Sequence, residues 1–93
     1  MAAISGQKTV DAAGTEVALG TQSINGPVMI KALPTNTGNV YIGNAGDGTV
    51  GSSSGLVLGP GDACIFEWVA HLSAIMVDSA VNGEGVSWIQ LSV

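Results

Sequence analysis

Apolar and polar residues alternate along most of the chain, in short runs separated by glycine-marked turns. The clearest case is Val28 to Ile42, VMIKALPTNTGNVYI, where two alternating runs flank a polar Thr-Asn-Thr-Gly-Asn stretch. That pattern predicts an antiparallel β-hairpin. The same grammar continues through GLVLGPGDACIFEWV, LSAIMVDSAV and NGEGVSWIQLSV, each of which sets a short apolar run against a turn. About eight strands follow, near the spacing of an all-β sandwich or barrel. They are expected at Gln7 to Val10, Glu16 to Leu19, Val28 to Leu33, Asn39 to Gly43, Gly55 to Leu58, Cys64 to Val69, Ser73 to Val77 and Val86 to Val93. Helices are not expected, because glycines are frequent and no window keeps an apolar stripe at helical spacing; Val69 to Met76 comes nearest, and its β-branched residues favour a strand. The expected fold is all-β: one small antiparallel β-sandwich or jelly-roll-like barrel over residues 7–93, with residues 1–6 as a flexible N-terminal arm.

Alternation also assigns faces, because side chains two apart along a strand share one. In the third strand Val28, Ile30 and Ala32 oppose Met29, Lys31 and Leu33, and the charge of Lys31 places Val28 and Ile30 in the core. In the sixth, Cys64, Phe66 and Trp68 oppose Ile65, Glu67 and Val69. In the last, Ser87, Ile89, Leu91 and Val93 oppose Val86, Trp88 and Gln90, so both faces carry bulky apolar groups. Such a strand is either covered on both sides or half of it meets another subunit. The irregular stretch Gly43 to Gly55, GNAGDGTVGSSSG, is expected to be a mobile exposed loop, either a plain connection or one that orders on a neighbour.

Composition sharpens this picture. Ninety-three residues allow one domain, and 46% of them are apolar, more than a domain this small can hide in its own core. The excess is expected to meet a partner. Only 10% of the residues are charged, with a net charge of −5 and no arginine. Nucleic-acid binding and adhesion to anionic membranes both need clustered Lys and Arg, so neither is expected. Cys64 is the single cysteine and sits in an apolar run, which predicts a buried small hydrophobe and folding in a reducing cytoplasm. No basic start followed by an apolar core marks a signal peptide, and no apolar run is long enough for a transmembrane helix.

Candidate chemistry is sparse. The single histidine, His71, has no neighbour in sequence that would make it a catalytic base, and the seven scattered acids favour no pair for glycoside hydrolysis. No enzyme, cofactor or metal is expected. Asn44, Asp47, Asp62 and Asp78 offer oxygen ligands for calcium, but without the acidic density of a calcium loop they read first as turn residues. Gly59-Pro60-Gly61-Asp62 predicts a sharp turn between strands. Tyr41, Trp68 and Trp88 either fill the core and an interface or form a platform for a sugar ring.

Taken together, GQKTVDAAGTEVAL, VMIKALPTNTGNVYIG, GLVLGPGD and DSAVNGEGVSWIQL resemble the small all-β structural proteins of tailed bacteriophages, over nearly the full chain. The resemblance implies a virion structural protein, most simply a capsid cement or decoration protein on the capsid exterior, made in the host bacterial cytoplasm. Its implied partners are the major capsid protein and itself, as a homotrimer. Ala2, Ala3, Ile4, Val10, Trp88, Ile89, Leu91 and Val93 are the contact residues expected on that reading. A tail, fibre or connector component is the alternative, as is a carbohydrate-binding module using Tyr41, Trp68 and Trp88.

Overall fold

A strand that is apolar on alternate residues is stable when a second sheet closes over that face. In a computed structural model, which describes residues 4–44 and 55–91, the chain does this with eight strands. They are β1 (Ser5–Val10), β2 (Val17–Ala18), β3 (Ser23–Ala32), β4 (Val40–Asn44), β5 (Leu56–Leu58), β6 (Ala63–His71), β7 (Ile75–Ser79) and β8 (Glu84–Gln90). A 3-10 turn, Leu72–Ala74, links β6 to β7. Sheet A has the order β1-β8-β3-β6 and sheet B the order β2-β7-β4-β5, with neighbours antiparallel throughout. The protein is therefore a small all-β sandwich of two four-stranded sheets and not a closed barrel.

One shared interior joins the sheets. Sheet A contributes Val10, Ile24, Val28, Ile30, Ala32, Val69, Val86 and Trp88; sheet B contributes Val40, Ile42, Leu58, Ile75 and Val77; Leu19 and Leu72 join them from the connections. The face read from β3 holds, with Val28, Ile30 and Ala32 buried and Lys31 exposed; in β8, where the sequence left both faces open, Val86, Trp88 and Gln90 are the set that turns inward. Gln90 is a polar group inside, and its Nε2 donates to the Ile24 carbonyl at 3.0 Å.

The Val28 to Ile42 segment is not a hairpin. β3 lies in sheet A and β4 in sheet B, so residues 33–39 carry the chain across the sandwich. Alternation is satisfied equally by two strands that pair and by two that face each other over the core. Which of these forms is decided by where the connection docks. Buried Asn36 donates from Nδ2 to the Gly85 carbonyl (2.9 Å) and accepts from the Gly85 N–H (3.3 Å), while the Leu33 N–H reaches the same carbonyl at 3.1 Å. Next to it, the Glu84 carboxylate accepts from the Thr37 N–H (2.6 Å), the Thr37 hydroxyl (2.9 Å) and the Gly38 N–H (3.0 Å). The polar stretch is thus bound to the start of β8. Gly59 to Asp62 also crosses between sheets, in the expected turn: the Asp62 N–H donates to the Gly59 carbonyl (2.9 Å), and Gly61 takes the positive φ of 82° that a type II turn requires after proline.

Several strand limits differ from expectation. β1 begins at Ser5, paired with Ile89, and Gly6 pairs with Trp88, so residues 5 and 6 belong to the sheet and not to a free arm. β3 begins at Ser23, straight through Gly26-Pro27. Pro27 is tolerated because it faces β8 just where that strand ends: its carbonyl still accepts from the Leu91 N–H, and its missing N–H forgoes only the reciprocal bond. β7 starts two residues late, because the His71 ring accepts from the Ser73 N–H (3.1 Å) and caps the 3-10 turn. Residues 92 and 93 of the expected last strand, and residues 45–54 of the expected loop, lie outside the described residues.

Two tests follow. A methyl group on Gly85 would overlap the Lys8 carbonyl oxygen, so Gly85→Ala is expected to cost about 3 kcal/mol, read as a lower urea midpoint. The hydrogen bonds from Gly38 and Thr37 hold the Glu84 carboxyl below its ordinary pKa. Their contribution is complete above the ordinary glutamate value and is lost as pH falls through the lowered folded value. On acidification, wild type is expected to lose more stability than Glu84→Gln, and equal pH profiles would refute the role.

Candidate functional site

The outer face of sheet A is built from the residues that alternation turns away from the core. β8 is a central strand, flanked by β1 and β3, and its outward residues therefore sit mid-sheet. The register aligns Ser5, Ile89, Met29 and Ile65 in one row across β1, β8, β3 and β6. The next row toward the polar end is Gln7, Ser87, Lys31 and Ala63. On the other side, the Leu91 N–H donates to the Pro27 carbonyl at 3.0 Å, which extends the face by a further apolar pair. Ile65 is 57% exposed, Leu91 46% and Ile89 43%.

Trp68 reaches the outside through a break in the alternation. Along β6 the pairing passes from Phe66 opposite Val28 to Val69 opposite Gly26, three residues against two. This is a β-bulge, with Glu67 and Trp68 sharing the extra step. Phe66 packs against the core and Val69 lies in it, and the two residues between them are exposed, Trp68 by 65%. The alternation read from sequence had placed Trp68 with Cys64 and Phe66; one inserted residue reverses it. The result is an apolar patch of Met29, Ile65, Trp68, Ile89 and Leu91 on adjacent strands, bordered by Lys31. Beside it a shallow groove of about 420 Å³ runs between Ser5, Gln7 and Ser87 on one side and Met29 and Lys31 on the other, over the edge of Trp88.

The expected contact residues divide. Ile89 and Leu91 are on this face. Val10 is wholly buried and Trp88 is 5% exposed; both are core residues, because their positions on β1 and β8 turn inward. Ile4 is half-buried and packs against the core. Ala2, Ala3 and Val93 lie outside the described residues. Ile65, Met29 and Trp68 complete the patch and were not among the expected contacts; the outward phase of Ile65, opposite Cys64 and Phe66, was the signal that could have found it. The three aromatics of the sugar-platform reading do not meet. Trp88 is inside, Trp68 is on sheet A, and Tyr41 is half-buried on β4 of sheet B.

Reactive side chains have local structural tasks. The Ser73 hydroxyl lies 2.8 Å from His71 Nδ1, but that same ring nitrogen accepts the Ser73 backbone N–H, the geometry of a turn cap. Cys64 is half-buried against the core, and burial pushes its thiol above the ordinary value, away from the reactive thiolate. Of the acids considered for calcium, Asp62 accepts from the Gly59 N–H (3.0 Å), and Asp78, buried, accepts from the Gly14 (3.0 Å) and Ser79 (2.8 Å) N–H groups. Asp47 lies outside the described residues, and among those described no group of three or more His, Cys, Asp or Glu is placed to hold a metal. No helix among them is long and apolar enough to cross a membrane.

Comparison with protein-family models, with curated proteins and with solved structures returns no match.

The two tryptophans give a direct check of this placement. Trp88→Ala is expected to cost about 3–5 kcal/mol of folding free energy. Trp68→Ala is expected to stay within about 0.5 kcal/mol of wild type in the same urea titration.

Proposed function

We propose that the chain is a non-catalytic structural protein of a tailed-phage virion, a cement or decoration protein that binds between major capsid subunits through the outer face of sheet A. The observation that carries this reading is the patch formed by Ile65, Trp68, Ile89 and Leu91, open to solvent, with half-buried Met29 in the same row as Ile65 and Ile89, in a chain with very few charges. An exposed apolar surface with a polar border is what a protein interface presents before it closes. The resemblance of the strand and turn segments to phage structural proteins supplies the assembly. The mechanism is burial: the patch loses its water against a lattice of identical sites, and many copies together resist expansion of the shell.

A position in the tail or connector would use the same face, and the place of the chain in the particle separates the two. Image reconstruction, or immunogold labelling of the particles whose genome encodes the chain, is the measurement. Many copies spread over the head lattice support the cement role. A few copies at the tail or vertex replace it with a tail or connector role, and absence from the particle overturns the virion reading.

The face itself is tested by charge. Placing Asp at both Ile65 and Ile89 removes two apolar contacts, each worth about 1.5 kcal/mol or more when buried, and is expected to weaken binding to undecorated capsids at least about a hundredfold. The circular dichroism spectrum should be unchanged, since both side chains are outside the core. Binding at wild-type strength would move the contact to another surface.

A further inference from the structure

We infer that β1 pairs with β1 of a second copy across a two-fold axis at Gln7, joining two copies of sheet A into one continuous sheet. Sheet edges with unpaired N–H and C=O groups invite further strands, and proteins protect them by shortness, bulges, proline or charge. Three of the four edges here are protected in this way. β2 has two residues, β5 has three, and β6 carries the bulge at Glu67 and Trp68. β1, the remaining edge, has six residues in unbroken register with β8 and contains no proline or bulge; its one protecting device is the charge of Lys8.

The direction of its backbone groups is fixed by its inner bonds. The Ile4 carbonyl accepts from the Gln90 N–H (2.8 Å) and the Val10 carbonyl from the Gly83 N–H (2.7 Å), so residues 4, 6, 8 and 10 face β8. By alternation, the N–H and C=O groups of Ser5, Gln7 and Thr9 point to the open edge. All three residues are exposed.

A second copy fits this edge better than an arbitrary strand does, because β1 is complementary to itself about Gln7. Antiparallel pairing with Gln7 opposite Gln7 sets Ser5 opposite Thr9 and Thr9 opposite Ser5. That register satisfies every open backbone group of the three residues, whereas sliding by two leaves the end residue of each strand unpaired. On the outer face it matches a side-chain amide with an amide and a hydroxyl with a hydroxyl, both favourable cross-strand pairs. Lys8, the one charge on the strand, is an inward-facing residue that would discourage most partners. In this register it lies opposite Gly6, which has no side chain to bury the ammonium. The pairing yields a dimer where the phage resemblance implies a trimer, and it does not rest on the proposed capsid role.

Sedimentation equilibrium of the full chain over a concentration series tests it. A monomer–dimer equilibrium is expected. Gln7→Pro removes the two hydrogen bonds on the axis and none within the monomer, and should raise the dissociation constant about thirtyfold with an unchanged circular dichroism spectrum. Gln7→Lys, which sets two like charges across the axis, should also weaken the dimer and guards against misfolding of the proline variant. In wild type, the Gln7 amide proton should exchange more slowly as concentration rises. A chain that remains monomeric to about 1 mM, a trimer, a dimer indifferent to a folded Gln7 variant, or exchange independent of concentration overturns the inference.

Discussion

Two segments converge on the backbone of Gly85, and the sandwich depends on their fit. β1 passes so close that its Lys8 carbonyl occupies the space a side chain would need. The connection from β3 to β4 binds the amide and the carbonyl of the same residue through Asn36 and Leu33. Glu84, one residue earlier, holds Thr37 and Gly38. The start of β8 thus fixes the edge strand of sheet A and the path by which the chain enters sheet B. A buried amide that exchanges two hydrogen bonds with the N–H and C=O of one residue is directional in a way that apolar packing is not. It selects the crossing over the hairpin.

With the interior filled, the remaining apolar residues have nowhere to go but outward. β6, on the edge of sheet A, and β8, in its middle, each carry large apolar side chains on the side away from sheet B. In most soluble domains such positions hold Lys, Glu or Thr. Here Lys31 is the cation of that face, and Ile65, Ile89, Leu91 and Trp68 surround the polar backbone with apolar surface. The side chains with conventional reactivity, His71, Ser73, Cys64, Asp62 and Asp78, are engaged in capping, packing or turns.

Much of the fold was legible in the alternation. β3 shows the two-residue period from Val28 to Ala32, so those inward residues could be named from sequence; β8 shows it too, but with bulky apolar groups in both phases the period alone left its inward face open. β1 was read short because Ser5 and Gly6 are too small to display a pattern, although a Cβ at Gly6 would lie 3.0 Å from the Trp88 ring, close enough that the ring would have to give by a few tenths of an ångström. Sheet membership was not legible: Val40 and Ile42 have the same phase whether β4 pairs with β3 or faces it, and the deciding bonds from Asn36 and Glu84 reach residues more than forty positions away. The exposed apolar face of sheet A was legible in part. Ile89 and Leu91 share a face by the phase of β8, while the outward turn of Trp68 could not be read, because the bulge at Glu67 and Trp68 leaves the two-residue grouping of Cys64, Phe66 and Trp68 unbroken in the sequence. Trp88 and Val10 were expected outside through size and position along the chain.

The bulge in β6 has a counterpart. Toward the other end of the same pair, Ser23 opposes His71 and Gly26 opposes Val69, so β3 carries an extra residue there, with Asn25 in the left-handed region at a φ of 51°. The two insertions lie on opposite strands and cancel: Ser23 meets His71 in the register that an unbroken ladder extended from Lys31 and Ala63 would give. The lengths of β3 and β6 are therefore linked. A single-residue deletion in either strand displaces everything beyond it by one step and exchanges inside for outside, whereas a matched pair of deletions, one per strand, keeps both ends in place and removes only the kink that sends Trp68 into solvent.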